Sequence, residues 1–282
     1  MEQPELPYEQ LMHDYCDSLL HLFSGERLLN KLFGRVMQSH ALGRVIIMHY
    51  EYLAGTGERP TLSRLQNLIG YSRTLASFFA VLRVVRLISV EPDQDDRRLK
   101  YLVPGPRTID GLRQWLIKHL ECCESLGLID RGCADRMRRD DIFFSHYVLH
   151  SRLILDNVTT QFPQFPLVNW VHQNECGDRI VFFLLREHFR CVLASTTSHG
   201  TRHWLKLSSS QIASDLGISK SHVRNVINEA EKCGVLTHNE TRRAVTLSDE
   251  FVSQVHGWFV GTLSYFAETA RRALADMSAS VD

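Results

Sequence analysis

A mainly α chain with small β-hairpins is the fold class that this sequence predicts, and three observations predict it. A short pair of helical segments, each opened by serine or threonine, occurs once in each half of the chain. Each pair is followed by two short apolar segments around a polar turn holding two adjacent arginines. Most of the remainder carries apolar residues at helical spacing.

In chain order, "YEQLMHDYCDSLLHLF" (residues 8–23) reads as an amphipathic helix. Residues 27–53 read as two helical pieces with a break expected near Ser39-His40. "TLSRLQNLIGYSRTLASFF" (residues 61–79) is the first helical pair. Thr61 is its first cap, Gly70 its turn and Ser72 its second cap, with Leu65 and Ile69 on the buried face. Its second helix is apolar nearly all round, so Phe78 or Val81 is expected on the outward face. Arg86 stands where a helix-ending glycine is usual. "RLISV" and the strand ending at Pro104 flank the turn with Arg97-Arg98. Residues 108–126 and 134–161 are helical by pattern, and "FPQFP" (residues 162–166) breaks the chain. The expected division is therefore an N-terminal domain over 1–161 and a C-terminal domain over 162–282.

In the second half, residues 178–194 form a strongly apolar helix ahead of "SSSQIASDLGISKSHVRNVI". Ser208 and Gln211 fit a capping box in which Gln211 reaches back. Gly217 fits a left-handed turn and Ser219 a second cap. Val223, Val226, Ile227 and Ala230 recur at i, i+3, i+4 and i+7, which buries one face. Lys220, Ser221, His222, Arg224, Asn225 and Asn228 are left for the other face, a basic and amide-bearing set suited to phosphates and base edges. Gly234, "VLT", Arg242-Arg243 and "AVTL" complete helix, turn, helix, strand, basic turn, strand, which is a winged-helix layout. Residues 248–276 form a closing amphipathic helix. The fold expected is thus two winged helix-turn-helix domains bracketed by long packing helices.

Composition limits the functions open to such a chain. The 282 residues are 44% apolar and 23% charged, enough for two real cores. Net charge is zero, so nucleic-acid binding has to come from local patches. No apolar run spans a bilayer and "MEQPELPYEQ" lacks a signal-peptide core. Seven cysteines without paired spacing point to reduced thiols in the cytoplasm. His119, Cys122, Cys123 and Cys133 invite a metal reading, but adjacent cysteines rarely ligate one ion and packing is the expected role. The charge run Arg131–Asp141 is expected as a solvated helix start. No phosphate loop, dinucleotide fingerprint, nucleophile elbow or zinc-protease pattern occurs, so no cofactor, metal or enzyme activity is expected, while a small-molecule effector of unknown identity stays open.

The first hairpin, "EPDQDDRRLKYLVPGPRTIDGLRQWL", resembles the wing and following helix of MarR-family regulators. Asp95-Asp96-Arg97 matches that family's Asp-x-Arg wing motif, while Val103-Pro104 replace its usual Leu-Thr. The resemblance extends over residues 40–120 and more loosely over 177–275, with Leu247-Ser248 in the second copy but no matching aspartate. It implies a transcription regulator that places the second helix in the major groove of double-stranded DNA and a wing arginine in the minor groove. Two copies in one chain depart from the single-domain dimer usual in the family. One chain could imitate that dimer, its recognition helices about one DNA turn, roughly 34 Å, apart. The expected DNA contacts are Lys220, Ser221, His222, Arg224, Asn225, Asn228, Arg242 and Arg243, with Arg73, Thr74, Ser77, Arg97 and Arg98 from the first copy. A homodimer is also expected, because the apolar stripes and the outward Phe78-Phe79 would otherwise stay bare. A plasmid or phage replication initiator and a protein-interaction scaffold using Phe78-Phe79 are the competing readings.

Overall fold

A computed structural model describes residues 7–70, 72–195 and 202–279. Helices take up 71% of the chain, which places it in the mainly α class. In order these are α1 (Tyr8–Phe23), α2 (Arg27–Leu32), α3 (Val36–Leu53), α4 (Leu62–Ile69) and α5 (Ser72–Val84). A hairpin of β1 (Ile88–Pro92) and β2 (Lys100–Pro104) follows. Next come α6 (Pro106–Ser125), α7 (Cys133–Arg139), α8 (Asp141–His150), α9 (Arg152–Asn157), a 3₁₀ turn over Thr159–Gln164, α10 (Pro166–Gln173) and α11 (Gly177–Ala194). Then β3 (Leu205–Lys206), α12 (Ser209–Leu216), α13 (Lys220–Lys232), β4 (Leu236–His238), β5 (Ala244–Leu247) and α14 (Asp249–Ala279) complete the order. Among the described residues no helix is long and apolar enough to cross a membrane.

The chain divides into two compact units, and neither is one continuous stretch. One unit joins residues 1–35 to 160–263, and the other joins 36–159 to 264–282. The chain thus passes between units close to the break expected at residue 162. The sequence reading of two contiguous domains nonetheless misses the first 35 residues and the second half of α14, which belong elsewhere.

In the unit containing the chain's start, α1 and α11 are packed along their length. Leu11, Met12, Tyr15, Cys16, Leu19 and Leu20 form one buried stripe on α1. Ile180, Val181, Leu184 and Leu185 form the facing stripe on α11. Fully burying a large apolar side chain contributes about 1.5–3 kcal/mol, so this pair is a principal support of the unit. Beside it lies a buried polar staple that the apolar periodicity gave no sign of. Arg179 on α11 is 2% exposed. Its Nη1 donates to the Phe33 carbonyl at 3.0 Å, and its guanidinium lies 4.3 Å from the centre of the Phe23 ring. Asn30, wholly buried, donates from Nδ2 to the Phe23 carbonyl at 2.8 Å. These two side chains satisfy carbonyls left over at the ends of α1 and α2. Arg179→Ala should lower the unit's stability by about 3 kcal/mol, through a lost charge-assisted hydrogen bond, a lost cation–π contact and a cavity. Arg179→Met, which keeps the stem's volume, should cost less. Urea midpoints of both variants equal to the wild type would show that the staple contributes nothing.

In the other unit Val45 on α3, Leu75 and Leu82 on α5, Leu120 on α6 and Phe143 on α8 are all buried. The end of α14 closes it. Phe266 stacks on His119 at 4.3 Å, and its carbonyl accepts from the Tyr147 hydroxyl at 3.1 Å. Burial in this apolar place lowers the His119 pKa to about 4. The Cys122 and Cys123 side chains are likewise buried, and no cluster able to hold a metal occurs among the described residues. All seven cysteines are unbridged.

Several boundaries differ from the sequence expectation. The break between α2 and α3 falls at residues 33–35 rather than at Ser39-His40. Gly34 is the reason: its carbonyl accepts from the Cys176 amide at 2.7 Å, and a Cβ there would lie 3.0 Å from Glu175 Cγ. The expected helix over 134–161 is divided among α7, α8 and α9, with Asp140 capping α8 through the Ile142 and Phe143 amides. The charge run before it is held in ion pairs, Arg138 with Glu121 and Asp135, and Arg113 with Asp141.

Candidate nucleic-acid interface

The two halves build their helical pairs and hairpins in the same order. In the unit with the chain's start, three antiparallel strands run in the order β3-β5-β4, so the strand before α12 and the hairpin after α13 form one sheet. In the other unit β1 pairs with β2, and the strand before α4 is reduced to a single bridge between Thr61 and Tyr101.

The C-terminal pair is fixed by local bonds. Ser208 Oγ accepts from the Gln211 amide at 3.2 Å. Gln211 does not reach back as the capping box expects; its side chain donates to Asp215 at 2.7 Å. Gly217 takes the left-handed conformation (φ 65°, ψ 27°). A Cβ there would sit 2.3 Å from Arg27 Cγ, so glycine is required twice over. Ser219 caps α13 by accepting from the His222 amide at 3.1 Å. Val223, Val226, Ile227 and Ala230 are buried. Lys220, Ser221, Arg224, Asn225 and Asn228 are exposed on the opposite side. Among the described residues the side chains of Lys220, Arg224 and Asn225 engage no partner. Ser221 Oγ lies 3.1 Å from Ser219 Oγ. His222 departs from its expected role: its Nε2 hydrogen goes to the Glu175 carbonyl at 2.7 Å, which draws the ring off the open face.

The N-terminal pair carries a correction. Leu75, Phe78, Phe79 and Leu82 are all buried, so Phe78 and Phe79 offer no outward surface. Val81 is exposed, as are Arg73, Thr74 and Ser77. The matching of the two copies explains the error. Helix-ending bonds pair Leu87–Leu82 in one copy and Val235–Ala230 in the other, so Leu82 corresponds to Ala230 and Phe79 to Ile227. The caps Thr61 and Ser208 correspond one residue out of step with this, because the turn after α4 has two residues and the turn after α12 has three. Gly70 accordingly takes a different conformation (φ 79°, ψ −153°) from Gly217. The capping role expected of Ser72 lies outside the described side chains. Arg86 occupies the position of Gly234, and both have positive φ (59° and 80°).

Both hairpins are organised by an Asp or Asn directly after the first strand, a signal the sequence reading passed over. Asp93 Oδ1 accepts from the Asp95 and Asp96 amides, and Oδ2 from the Tyr101 hydroxyl at 2.7 Å. These bonds lower its pKa. Asn239 Oδ1 accepts from the Arg243 and Ala244 amides at 2.9 and 3.1 Å. The first hairpin is longer, seventeen residues from Ile88 to Pro104 against twelve from Leu236 to Leu247. Arg97, Arg98 and Arg243 are exposed, and among the described residues their side chains engage no partner. Asp95 and Asp96 are exposed beside the first two. Arg242 is different. It forms an ion pair with Glu231 of α13 at 2.8 Å. Its guanidinium first, and then His238, hold the Glu231 carboxyl down to about 2. Comparison with family models, curated proteins and solved structures found no match.

Proposed function

We propose that this chain is a transcription regulator that binds double-stranded DNA sequence-specifically through two MarR-like winged helices. One observation carries the reading. A doubly capped helical pair presents Lys220, Arg224 and Asn225 on the open side of its second helix, next to a hairpin bearing Arg243, and among the described residues none of these four side chains engages a partner. Cations of this kind neutralise phosphates, and an arginine or asparagine can make two hydrogen bonds to guanine or adenine. The recurrence of the arrangement in the other unit, with exposed Arg73, Thr74 and Ser77, supports a second contact region. A regulator of this kind works in the cytoplasm, where unbridged thiols persist. Selection of bound sequences from random duplex DNA tests the reading. An enriched site whose binding weakens steeply with salt is expected; a pool without enrichment would overturn it.

Of the two grounds for the homodimer expected from the sequence, the outward aromatic pair is lost, since Phe78 and Phe79 are buried, and the apolar stripes of α1 and α11 are covered within one unit. The same finding takes from the scaffold reading its contact surface. Light scattering at micromolar concentration should therefore return the monomer mass of 32.5 kDa. Twice that mass would restore the dimer.

A further inference from the structure

The two arginines of the C-terminal hairpin differ, and the difference matters if α13 lies on DNA. We infer that Glu231 is a positioning residue that withholds Arg242 from phosphate and clamps the hairpin to α13, leaving Arg243 as the hairpin's DNA-contacting cation. This rests on the proposed DNA-binding reading.

One carboxylate holds three parts of the structure together. Glu231 Oε2 accepts from Arg242 Nη2 at 2.8 Å, in the turn. Glu231 Oε1 accepts from the His238 amide at 3.2 Å, on β4, and lies 2.9 Å from His238 Nδ1. Its own backbone is in α13. Arg242 also reaches Asn228 Oδ1 at 3.5 Å, so its guanidinium is turned back along the helix. Its backbone is left-handed (φ 53°), a conformation that a side-chain-bearing residue keeps only where its surroundings fix it. Asn239 supplies part of that fixing, since its carbonyl accepts from the Arg242 amide at 2.8 Å.

Electrostatics decides which arginine is free to bind. Moving Arg242 onto a phosphate would trade one anionic partner for another. It would also leave the Glu231 carboxylate uncovered beside the DNA, where like charges repel. Arg243 carries neither cost, because its side chain engages no partner among the described residues. The other copy shows that the clamp is not a general property of the arrangement. Where Leu82 matches Ala230, the next residue is Arg83, so a cation stands in the place of Glu231. Among the described residues the side chains of Arg97 and Arg98 of that hairpin pair with no acid, and Asp93, Asp95 and Asp96 lie in their own turn.

The test compares Arg242→Ala, Arg243→Ala and Glu231→Gln in the full chain, by salt titration on a random-sequence duplex. Each lost phosphate contact lowers the slope of log K against log salt by about 0.9, or roughly threefold in affinity between 50 and 200 mM. Arg243→Ala should show that loss and Arg242→Ala should not. Glu231→Gln should steepen the slope by a similar amount, and the added change Arg242→Ala should return it. An equal loss of slope in the two arginine variants would overturn the inference while leaving DNA binding intact. Absence of salt-sensitive binding by the wild type would instead defeat the DNA reading. The clamp then stands or falls on hydrogen exchange in the free protein. The His238 amide should exchange faster in Glu231→Gln, and an unchanged rate would remove the clamp.

Discussion

Expressed separately, residues 1–161 and 162–282 should each fail to show a cooperative unfolding transition. The cut looks natural in the sequence, but it divides both units. The C-terminal fragment lacks α1, and with it the six buried side chains Leu11, Met12, Tyr15, Cys16, Leu19 and Leu20. At about 1.5–3 kcal/mol for each large one, the loss is on the order of 10 kcal/mol, comparable to the whole stability of a domain. The N-terminal fragment lacks residues 264–282, so His119 loses the Phe266 ring and the Tyr147 hydroxyl loses its acceptor. Mixing the two fragments should restore helicity and a cooperative melt, because every missing element is then present. Circular dichroism of each fragment alone decides the matter. A full helical signal with a sharp melt from either one would refute the division of the units.

Replacing Arg224 and Asn225 together with alanine should abolish sequence preference while leaving the fold intact. Both side chains are exposed and engage no partner among the described residues, so little native structure depends on them. Each good base contact contributes about 1–3 kcal/mol of discrimination, so the pair is worth about 2–6 kcal/mol, at least roughly a 30-fold fall in the specific-to-random ratio. Lys220→Ala should instead weaken specific and random DNA alike. Competition binding on the selected site and on random duplex measures both ratios. An equal loss on the two DNAs from the double variant would remove base reading from α13.

Elements with strong periodicity and local punctuation were legible in the sequence. The helices at residues 8–23 and 178–194 and the strand "AVTL" fall within a residue of their observed bounds, as does the Ser219 cap. Their signals lie inside the element itself. Features that depend on distant residues were not legible. The bond from Arg179 to the Phe33 carbonyl joins segments about 150 residues apart, and the neighbours of Arg179 do not announce it. The break at Gly34 is set by Cys176 in the same way. The misplacement of Phe78 was avoidable. Leu75, Phe78, Phe79 and Leu82 repeat the spacing of Val223, Val226, Ile227 and Ala230, and that spacing would have exposed the missing turn residue. On the candidate interface, Arg224 and Asn225 were found from their face of α13. The bonds of His222 and Arg242 that draw those residues away were not, because both run to other elements.

The partnership of α1 with α11 also has a dimension in time. About 150 residues of chain separate the end of one helix from the start of the other. At roughly 5–20 residues per second of synthesis, α1 waits about 8–30 s for the surface that covers it. Chain collapse takes at most about 100 μs, so the wait outlasts the time needed to form wrong contacts by a factor of roughly 10⁵. A nascent chain must therefore carry the stripe from Leu11 to Leu20 uncovered for the whole of that interval. The polar residues interleaved with it, Glu9, Gln10, His13, Asp14 and Asp17, break the apolar run into short pieces, the pattern that disfavours aggregation during such an interval.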